Sequence, residues 1–213
     1  LMSDMTTRPH PPVQPLPRAP RSILVIRMSG IGDVVWTTPL LANLRRAWPD
    51  AHIAYVARPA PAQVLRGNPD VDEVIVFESE RIAWQIGLLM RLARRRFDLS
   101  IDLICSVATA LQSWVAARTR VGFDFRGRRH LYNHPLSRYD ANHGHAVDFN
   151  LYPAEHLGIP IVTRDLVWTV LDDERRAADA IVANLTRDGR KLVVFIPTGG
   201  FPSKKWSADS YAA

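Results

Sequence analysis

A short apolar run that ends in a pair of glycines constrains this chain more than any other feature. Residues 23–27 are almost entirely apolar and rich in β-branched side chains, which predicts a strand buried on both faces. Gly30 and Gly32 follow at once, and an apolar-periodic segment typical of a helix begins beside Asp33. Ligands of open α/β sheets bind beyond the carboxyl ends of the strands, so the sequence predicts a functional site at this strand–turn–helix junction.

Asp33 has two interpretations on local evidence. The junction lacks the third glycine of a dinucleotide fingerprint, because Val35 stands at that position, and a carboxylate repels phosphate. Asp33 can be a helix cap, a role that aspartate often fills. It can equally be a catalytic carboxylate, and the local sequence leaves both roles open.

The following segments alternate between strand and helix patterns, which predicts a parallel, doubly wound α/β sheet. Pro39 interrupts the first helix, by a kink or by starting a new helix capped by Thr38. Further predicted strands cover residues 52–57, 73–77, 99–104 and 120–123, and predicted helices cover residues 61–66, 81–96, 106–117, 146–157 and 172–188. Residues 127–144 are polar, basic and aperiodic, and are interpreted as a long surface loop.

The pattern predicts three regions. Residues 1–21 contain six prolines and form a disordered tail, and residues 22–162 form the first Rossmann-like domain. Residues 163–213 form a linker and the start of a second domain, because a buried strand at 191–196 precedes another glycine turn. We expect this second domain to be truncated, since one strand cannot form a sheet alone.

Composition limits the partners. A net charge of +6 comes mainly from arginines clustered at residues 91–96 and 118–138, which would suit nucleic acid, an anionic membrane surface or a phosphorylated substrate. The simpler alternative is that these arginines lie on an ordinary solvent-exposed face and bind no partner. The single cysteine, Cys105, and the lack of a signal peptide or membrane-length apolar run predict a cytoplasmic protein.

Several segments, in order and spacing, resemble the glycosyltransferase family 9 heptosyltransferases. They are residues 23–39, 68–77, 97–102, 145–148 before a helix ending at Gly158, and 197–206 with its Lys-x-Trp pattern. The resemblance implies a GT-B architecture, in which the first of two Rossmann-like domains binds the acceptor and the second binds the nucleotide-sugar. It further implies inverting transfer of heptose from ADP-heptose to the lipopolysaccharide inner core, without metal or other cofactor.

The resemblance also implies residue roles. Asp33 matches the catalytic base and Lys204 matches the lysine of the family's conserved loop, where an ammonium could offset charge on a leaving diphosphate. Predicted substrate-binding residues are Ser29, Gly30, Gly32, Asp102, Arg126, Arg128, Arg129, His145, Thr198, Gly199 and Gly200. The implied partners are a nucleotide-sugar donor and an anionic glycolipid acceptor, with peripheral contact to the inner membrane face and no nucleic acid.

Simpler alternatives remain for individual residues. Lys204 can belong to a solvated basic loop, Asp102 to a structural turn, and His145 to the surface before a helix. The chain departs from the family in Ile104 and Cys105 and in the absence of the late nucleotide-binding motif. We therefore expect a fragment without activity of its own, with an acceptor-binding membrane-surface module as the alternative function. A Rossmann oxidoreductase is disfavoured by the missing third glycine.

Overall fold

The computed structural model describes residues 13–125, 128–137, 144–187, 189, 191–196 and 205–212, and its centre is a six-stranded sheet. All five strand pairs are parallel, and the spatial order is β3-β2-β1-β4-β5-β6. The strands are β1 (Ser22–Ile26), β2 (His52–Ala57), β3 (Glu73–Val76), β4 (Phe97–Asp102), β5 (Ala117–Phe123) and β6 (His134–Leu136). The predicted parallel, doubly wound sheet is confirmed.

Helices connect the strands. They are α1 (Ile31–Val35), α2 (Thr38–Ala47), α3 (Pro59–Ala62), α4 (Ile82–Arg95), α5 (Val107–Ala116), α6 (Ala146–His156), α7 (Asp172–Leu185) and α8 (Ala208–Ala212), with 3₁₀ turns at Gln63–Leu65 and Arg128–Leu131. Pro39 lies in the first turn of α2, where its missing N–H is not needed. The cap residue is Thr37 rather than Thr38, and its hydroxyl donates to the Asp33 carbonyl at 2.8 Å.

Both faces of the sheet are covered. The side chains of Ile23 and Val25 pack with α2, while those of Leu24 and Ile26 pack on the other face against α4. All four residues are fully buried, so β1 is apolar throughout, as expected for the centre of a parallel sheet. The register places Ile26 beside Asp102, so the ends of β1 and β4 coincide.

The predicted loop at 127–144 is partly wrong. Its described part contains a 3₁₀ turn and then β6, whose His134 pairs with Val121 of β5. An edge strand needs hydrogen bonds on one side only, so it tolerates polar residues and Pro135 without showing an apolar period.

The predicted tail also needs correction over residues 13–21. The Gln14 N–H donates to the His156 carbonyl at 2.7 Å, which supplies a partner for the end of α6. Leu16 packs against the core, and Pro20 is buried. Proline-rich composition therefore signals an extended segment here, and that segment lies on the domain.

The chain divides into two compact units between Thr169 and Val170. Residues 162–167 belong with the first unit, because the Asn43 and Thr38 side chains accept hydrogen bonds from the N–H groups of Val162 and Val167. In the second unit the strand predicted at 191–196 is wrong: those residues are exposed and pair with no strand of the described chain. Apolar sequence alone does not make a strand, which needs hydrogen-bonding neighbours. Across the described residues, no helix has both the length and the apolar character needed to cross a membrane.

Candidate active site

A cavity of about 480 Å³ opens at the carboxyl edge of the sheet, where β1 and β4 end side by side. This is the point at which the strand order reverses, and ligands of doubly wound folds bind at such a point. The lining residues are Arg27, Ser29, Asp33, Trp36, Leu103, Ile104, Phe125, Gly144, Ala146, Phe149 and Asn150. A larger cavity of about 720 Å³ lies at the opposite, amino edge and contains none of the predicted site residues.

Gly30 fixes the turn between β1 and α1. Its φ of +82° belongs to the region that favours glycine, and a Cβ added there would collide with the carboxylate of Asp33. Only glycine therefore allows the Asp33 side chain to fold back over the turn. Ser29 lies on the cavity wall, whereas Gly32 is exposed, has open space around it and, like Gly30, is not among the lining residues.

Asp33 is held by a cation and does not cap the helix. No side chain caps α1, whereas Oδ1 of Asp33 lies 3.0 Å from a guanidinium nitrogen of Arg27. The other terminal nitrogen of Arg27 donates to the Leu103 carbonyl at 2.8 Å, which ties the end of β1 to the turn after β4. The Asp33 side chain is 32% exposed, so a carboxylate of fixed orientation faces the cavity.

Arg27 is a site residue that the sequence interpretation missed. Its Nε–H is buried and has no hydrogen-bond partner among the described residues, which leaves one donor beside the catalytic candidate. The signal was present: Arg27 is the one charged residue at the end of an otherwise apolar strand, immediately before the glycine turn.

The wall contributed by α6 adds a second polar group. Asn150 is 1% exposed, and its Nδ2 donates to the Ala146 carbonyl at 2.7 Å. Its Oδ1 is buried without a partner in the described chain. Phe149 stacks on Phe123 with ring centroids 4.5 Å apart, which gives this wall a rigid aromatic surface. The cavity wall therefore combines a partly exposed carboxylate with two buried polar atoms that have no partner in the described chain.

Asp102 lies behind the cavity rather than in it. It is fully buried, and Oδ1 accepts hydrogen bonds from the N–H groups of Ile104 and Cys105, each at 2.9 Å. Oδ2 accepts from the Tyr132 hydroxyl at 2.9 Å. Burial raises the pKa of Asp102, although these hydrogen bonds oppose the rise. The geometry favours the structural turn over the predicted contact with substrate.

Two neighbours complete this buried turn. A Cβ on Gly122 would collide with the Tyr132 ring, so only glycine on β5 leaves room for the tyrosine. The Cys105 thiol accepts from the Phe123 N–H at 3.0 Å, and burial together with the charge of Asp102 raises its pKa to about 12. A thiol with so high a pKa is not a nucleophile at neutral pH, so Cys105 serves here as a small buried residue.

The other predicted site residues lie at the rim or outside the described chain. His145 caps α6 by accepting from the Val147 N–H at 3.2 Å, and its ring lies edge-on to Trp36 at a centroid distance of 6.4 Å. Arg128 is joined to the cavity wall through its N–H, which donates to the Phe125 carbonyl, and Arg129 beside it is exposed. Arg126, Thr198, Gly199, Gly200 and Lys204 lie outside the described residues. Within the described ranges, no cluster of three or more His, Cys, Asp or Glu side chains is placed to hold a metal ion.

Comparison with known proteins decides the family. The model of glycosyltransferase family 9 (heptosyltransferase) matches residues 86–213, which is more than half of the chain. The chain belongs to this family. Its curated relatives include the lipopolysaccharide core heptosyltransferase OpsX of Haemophilus influenzae, which is 20% identical over 91% of the chain and 56% of the relative. Lipopolysaccharide heptosyltransferase 3 of Escherichia coli K12 is 25% identical over 85% of the chain and 55% of the relative.

Solved structures of the family share the fold. The family 9 glycosyltransferase of Veillonella parvula superimposes with a TM-score of 0.73 at 27% identity, over 90% of this chain and 57% of that one. The Escherichia coli ADP-heptose lipopolysaccharide heptosyltransferase II gives a TM-score of 0.68 at 25% identity, over 90% and 59%. The α/β fold expected from the resemblance is thus confirmed. The chain spans a little more than half the length of these family 9 relatives.

Proposed function

We propose that this chain carries the acceptor side of an inverting heptosyltransferase that uses Asp33 as its general base. The observation that carries the proposal is the Arg27–Asp33 pair in the 480 Å³ cavity between the ends of β1 and β4, where the carboxylate is oriented and accessible. The family supports the reaction class, since its named relatives are lipopolysaccharide heptosyltransferases. The proposed donor is ADP-heptose, and the proposed acceptor is an inner-core glycolipid.

The chemistry is a direct displacement. The Asp33 carboxylate accepts the proton of an acceptor hydroxyl, and the hydroxyl oxygen forms a bond to the anomeric carbon of the heptose. The bond from that carbon to the diphosphate oxygen breaks on the opposite face, and its electron pair leaves with ADP. This single displacement inverts the configuration at the anomeric carbon. We propose that Lys204 offsets the charge that develops on the diphosphate.

Two buried polar atoms suit the recognition of an acceptor sugar. The Asn150 Oδ1 can accept a hydrogen bond from a sugar hydroxyl, and the Arg27 Nε–H can donate one. An unpaired buried polar atom is costly, so both gain a partner when the acceptor binds. The aromatic side chains of Trp36 and Phe149 offer apolar surface to the ring of the sugar.

The transfer reaction itself is the test. The protein, together with its complete second domain, is incubated with ADP-heptose and a glycolipid that lacks the corresponding heptose. We expect ADP release that depends on the acceptor, and a product heavier by one heptose. ADP release at the same rate without acceptor, or an unmodified glycolipid, would contradict the proposal.

An acceptor-binding module is the second candidate, because the chain spans only 55–56% of the OpsX protein and of the heptosyltransferase 3 named above. Binding of the two substrates to the 213-residue chain separates the candidates. A module binds the acceptor glycolipid and does not bind ADP-heptose. A chain that binds both substrates and turns them over is an enzyme in its own right.

A further inference from the structure

Helix α4 presents an apolar row to solvent. Ile82, Ile86 and Met90 are spaced four residues apart and therefore line one side of the helix. Their exposed fractions are 76%, 49% and 50%. The opposite side of the same helix, with Leu88 and Leu92, is buried against the sheet. Helix α4 is therefore apolar on both sides, which is unusual for a surface helix.

The neighbouring helix repeats this arrangement. Helix α5 packs beside α4, and its outward residues Val107, Leu111 and Trp114 are 67%, 39% and 54% exposed. We call these six outward residues of the two helices the α4–α5 face. Single exposed apolar residues need no explanation, but a contiguous group on two adjacent helices indicates a binding surface.

The charge at the C-terminal ends of α4 and α5 is positive, whereas the exposed Glu78 and Glu80 precede the other end of α4. Arg91 and Arg94 follow Met90 in the last turns of α4, and Arg118 follows α5; all three are exposed. Their guanidinium groups form no ion pair with any described residue. Residues 81–97 and 103–123 contain no aspartate or glutamate.

The face also reaches the candidate active site. Ile104 lines the cavity and at the same time packs against the apolar cluster that contains Leu88 and Leu92 of α4. Three residues further along the chain, Val107 begins the α4–α5 face. The start of the α4–α5 face therefore lies three residues along the chain from the cavity wall.

We propose that the α4–α5 face docks on the surface of an anionic phospholipid membrane. The apolar row enters the boundary between headgroups and acyl chains, Trp114 lies at headgroup level, and the arginines contact lipid phosphates. This inference deepens the proposed function and rests on it for its purpose, since docking brings the cavity to a lipid-anchored acceptor. A second copy of the chain fits less well, because the arginines of two such faces would meet and repel each other.

Vesicle flotation tests the proposal without donor or acceptor, so its result is independent of whether transfer occurs. The protein is floated with vesicles of phosphatidylethanolamine and phosphatidylglycerol, and with vesicles of phosphatidylcholine alone. We expect binding to the anionic vesicles that weakens with salt, and little binding to the neutral ones. Equal or no binding to the two vesicle types overturns the proposal.

Two variants and a matched control locate the binding surface. Replacing Arg91, Arg94 and Arg118 together by Gln should weaken binding to anionic vesicles roughly a hundredfold at low salt. Replacing Ile86, Met90 and Trp114 together by Ser should abolish it. The control replaces Val162, Leu166 and Trp168 by Ser. These residues are similarly exposed, but their segment lies along α2 on the other face of the sheet, so vesicle binding should stay unchanged.

The remaining outcomes are also decisive. Binding that survives both α4–α5 variants, or that the control variant loses to the same extent, contradicts the proposal. If sedimentation velocity shows a dimer that the serine variant dissociates while vesicles bind neither form, the face is a contact between two copies and the proposal is wrong. Thermal unfolding of each variant checks the fold, and the arginine variant, which alters only exposed charges, serves if the serine variant unfolds.

Discussion

Arg27 and Asp33 close the glycine turn between them, with a guanidinium nitrogen 3.0 Å from the carboxylate Oδ1. Because Arg27 also donates to the Leu103 carbonyl, the carboxylate is fixed relative to both β1 and β4. The pair therefore joins the two central strands at the point where the strand order reverses.

Replacing Arg27 separates charge from geometry. We expect Arg27→Gln to lower kcat at least tenfold, because Asp33 loses the group that orients it. Arg27→Lys should recover only part of this loss, since an ammonium on a flexible stem cannot reproduce the fork that contacts Asp33 and Leu103 together. Steady-state kinetics in the complete enzyme measures both. Wild-type kcat in the glutamine variant would show that Asp33 needs no partner.

Replacing Asp33 by Asn tests the general base. The amide keeps the shape but cannot accept the proton, so turnover should fall about 10²–10⁴-fold with the melting temperature nearly unchanged. Asp50→Asn, a carboxylate outside the cavity that follows α2, serves as the control and should keep wild-type turnover. A turnover near wild type in Asp33→Asn would refute the assignment.

Asn150 should contribute to acceptor affinity. We expect Asn150→Leu to raise the KM for the acceptor about threefold to tenfold, through loss of one neutral hydrogen bond, and to leave the KM for ADP-heptose unchanged. Gln112→Leu is the matched control, because Gln112 is also a buried amide with an unpaired oxygen but does not line the cavity. An effect of equal size in both variants would mean that only packing changed.

The arginines after β5 should govern binding of the anionic acceptor. Replacing Arg128 and Arg129 by Gln is expected to raise the acceptor KM and to flatten its dependence on ionic strength, since fewer charges contact the acceptor. Arg175 and Arg176 of α7 are likewise adjacent and are both exposed, and the same change there should have no effect. An unchanged salt dependence in the variant that lacks both Arg128 and Arg129 would mean that these arginines face solvent and do not contact the acceptor.

Tyr132→Phe should destabilise the fold by about 1–3 kcal/mol, because Oδ2 of the buried Asp102 loses its hydrogen bond. Burial raises the pKa of Asp102 in the folded protein above its ordinary value of 3.8. The resulting stabilisation is complete below pH 3.8 and is lost as the pH rises through the higher pKa of the folded state. Loss of the tyrosine O–H, which favours the charged form, raises this pKa further. Urea denaturation at pH 4 and pH 7 should therefore show the larger loss at pH 7, and equal losses would contradict this account.

Much of the fold was predictable because buried strands and amphipathic helices leave a period in the sequence. The strand at His52–Ala57 and the glycine turn before Asp33 were predicted where the structure has them. Two predictions were wrong for different reasons. β6 has too few apolar residues to show alternation, whereas residues 191–196 are strongly apolar but pair with no strand of the described chain.

The sequence by itself determined the order of strands β1 to β5 and the helices between them, and it placed Asp33 just after a buried strand. Both follow from local pattern and from the conformational freedom of Gly30. Only the tertiary structure decided the partners. The hydroxyl of Tyr132, 30 residues further along the chain, donates to Oδ2 of Asp102, and Asp102 does not line the cavity. Arg27 and Asn150 line it instead. The hydrophobic period of a helix or strand shows which of its sides is buried, but not which other element packs against that side. The packing partner depends on how the strands are ordered in space.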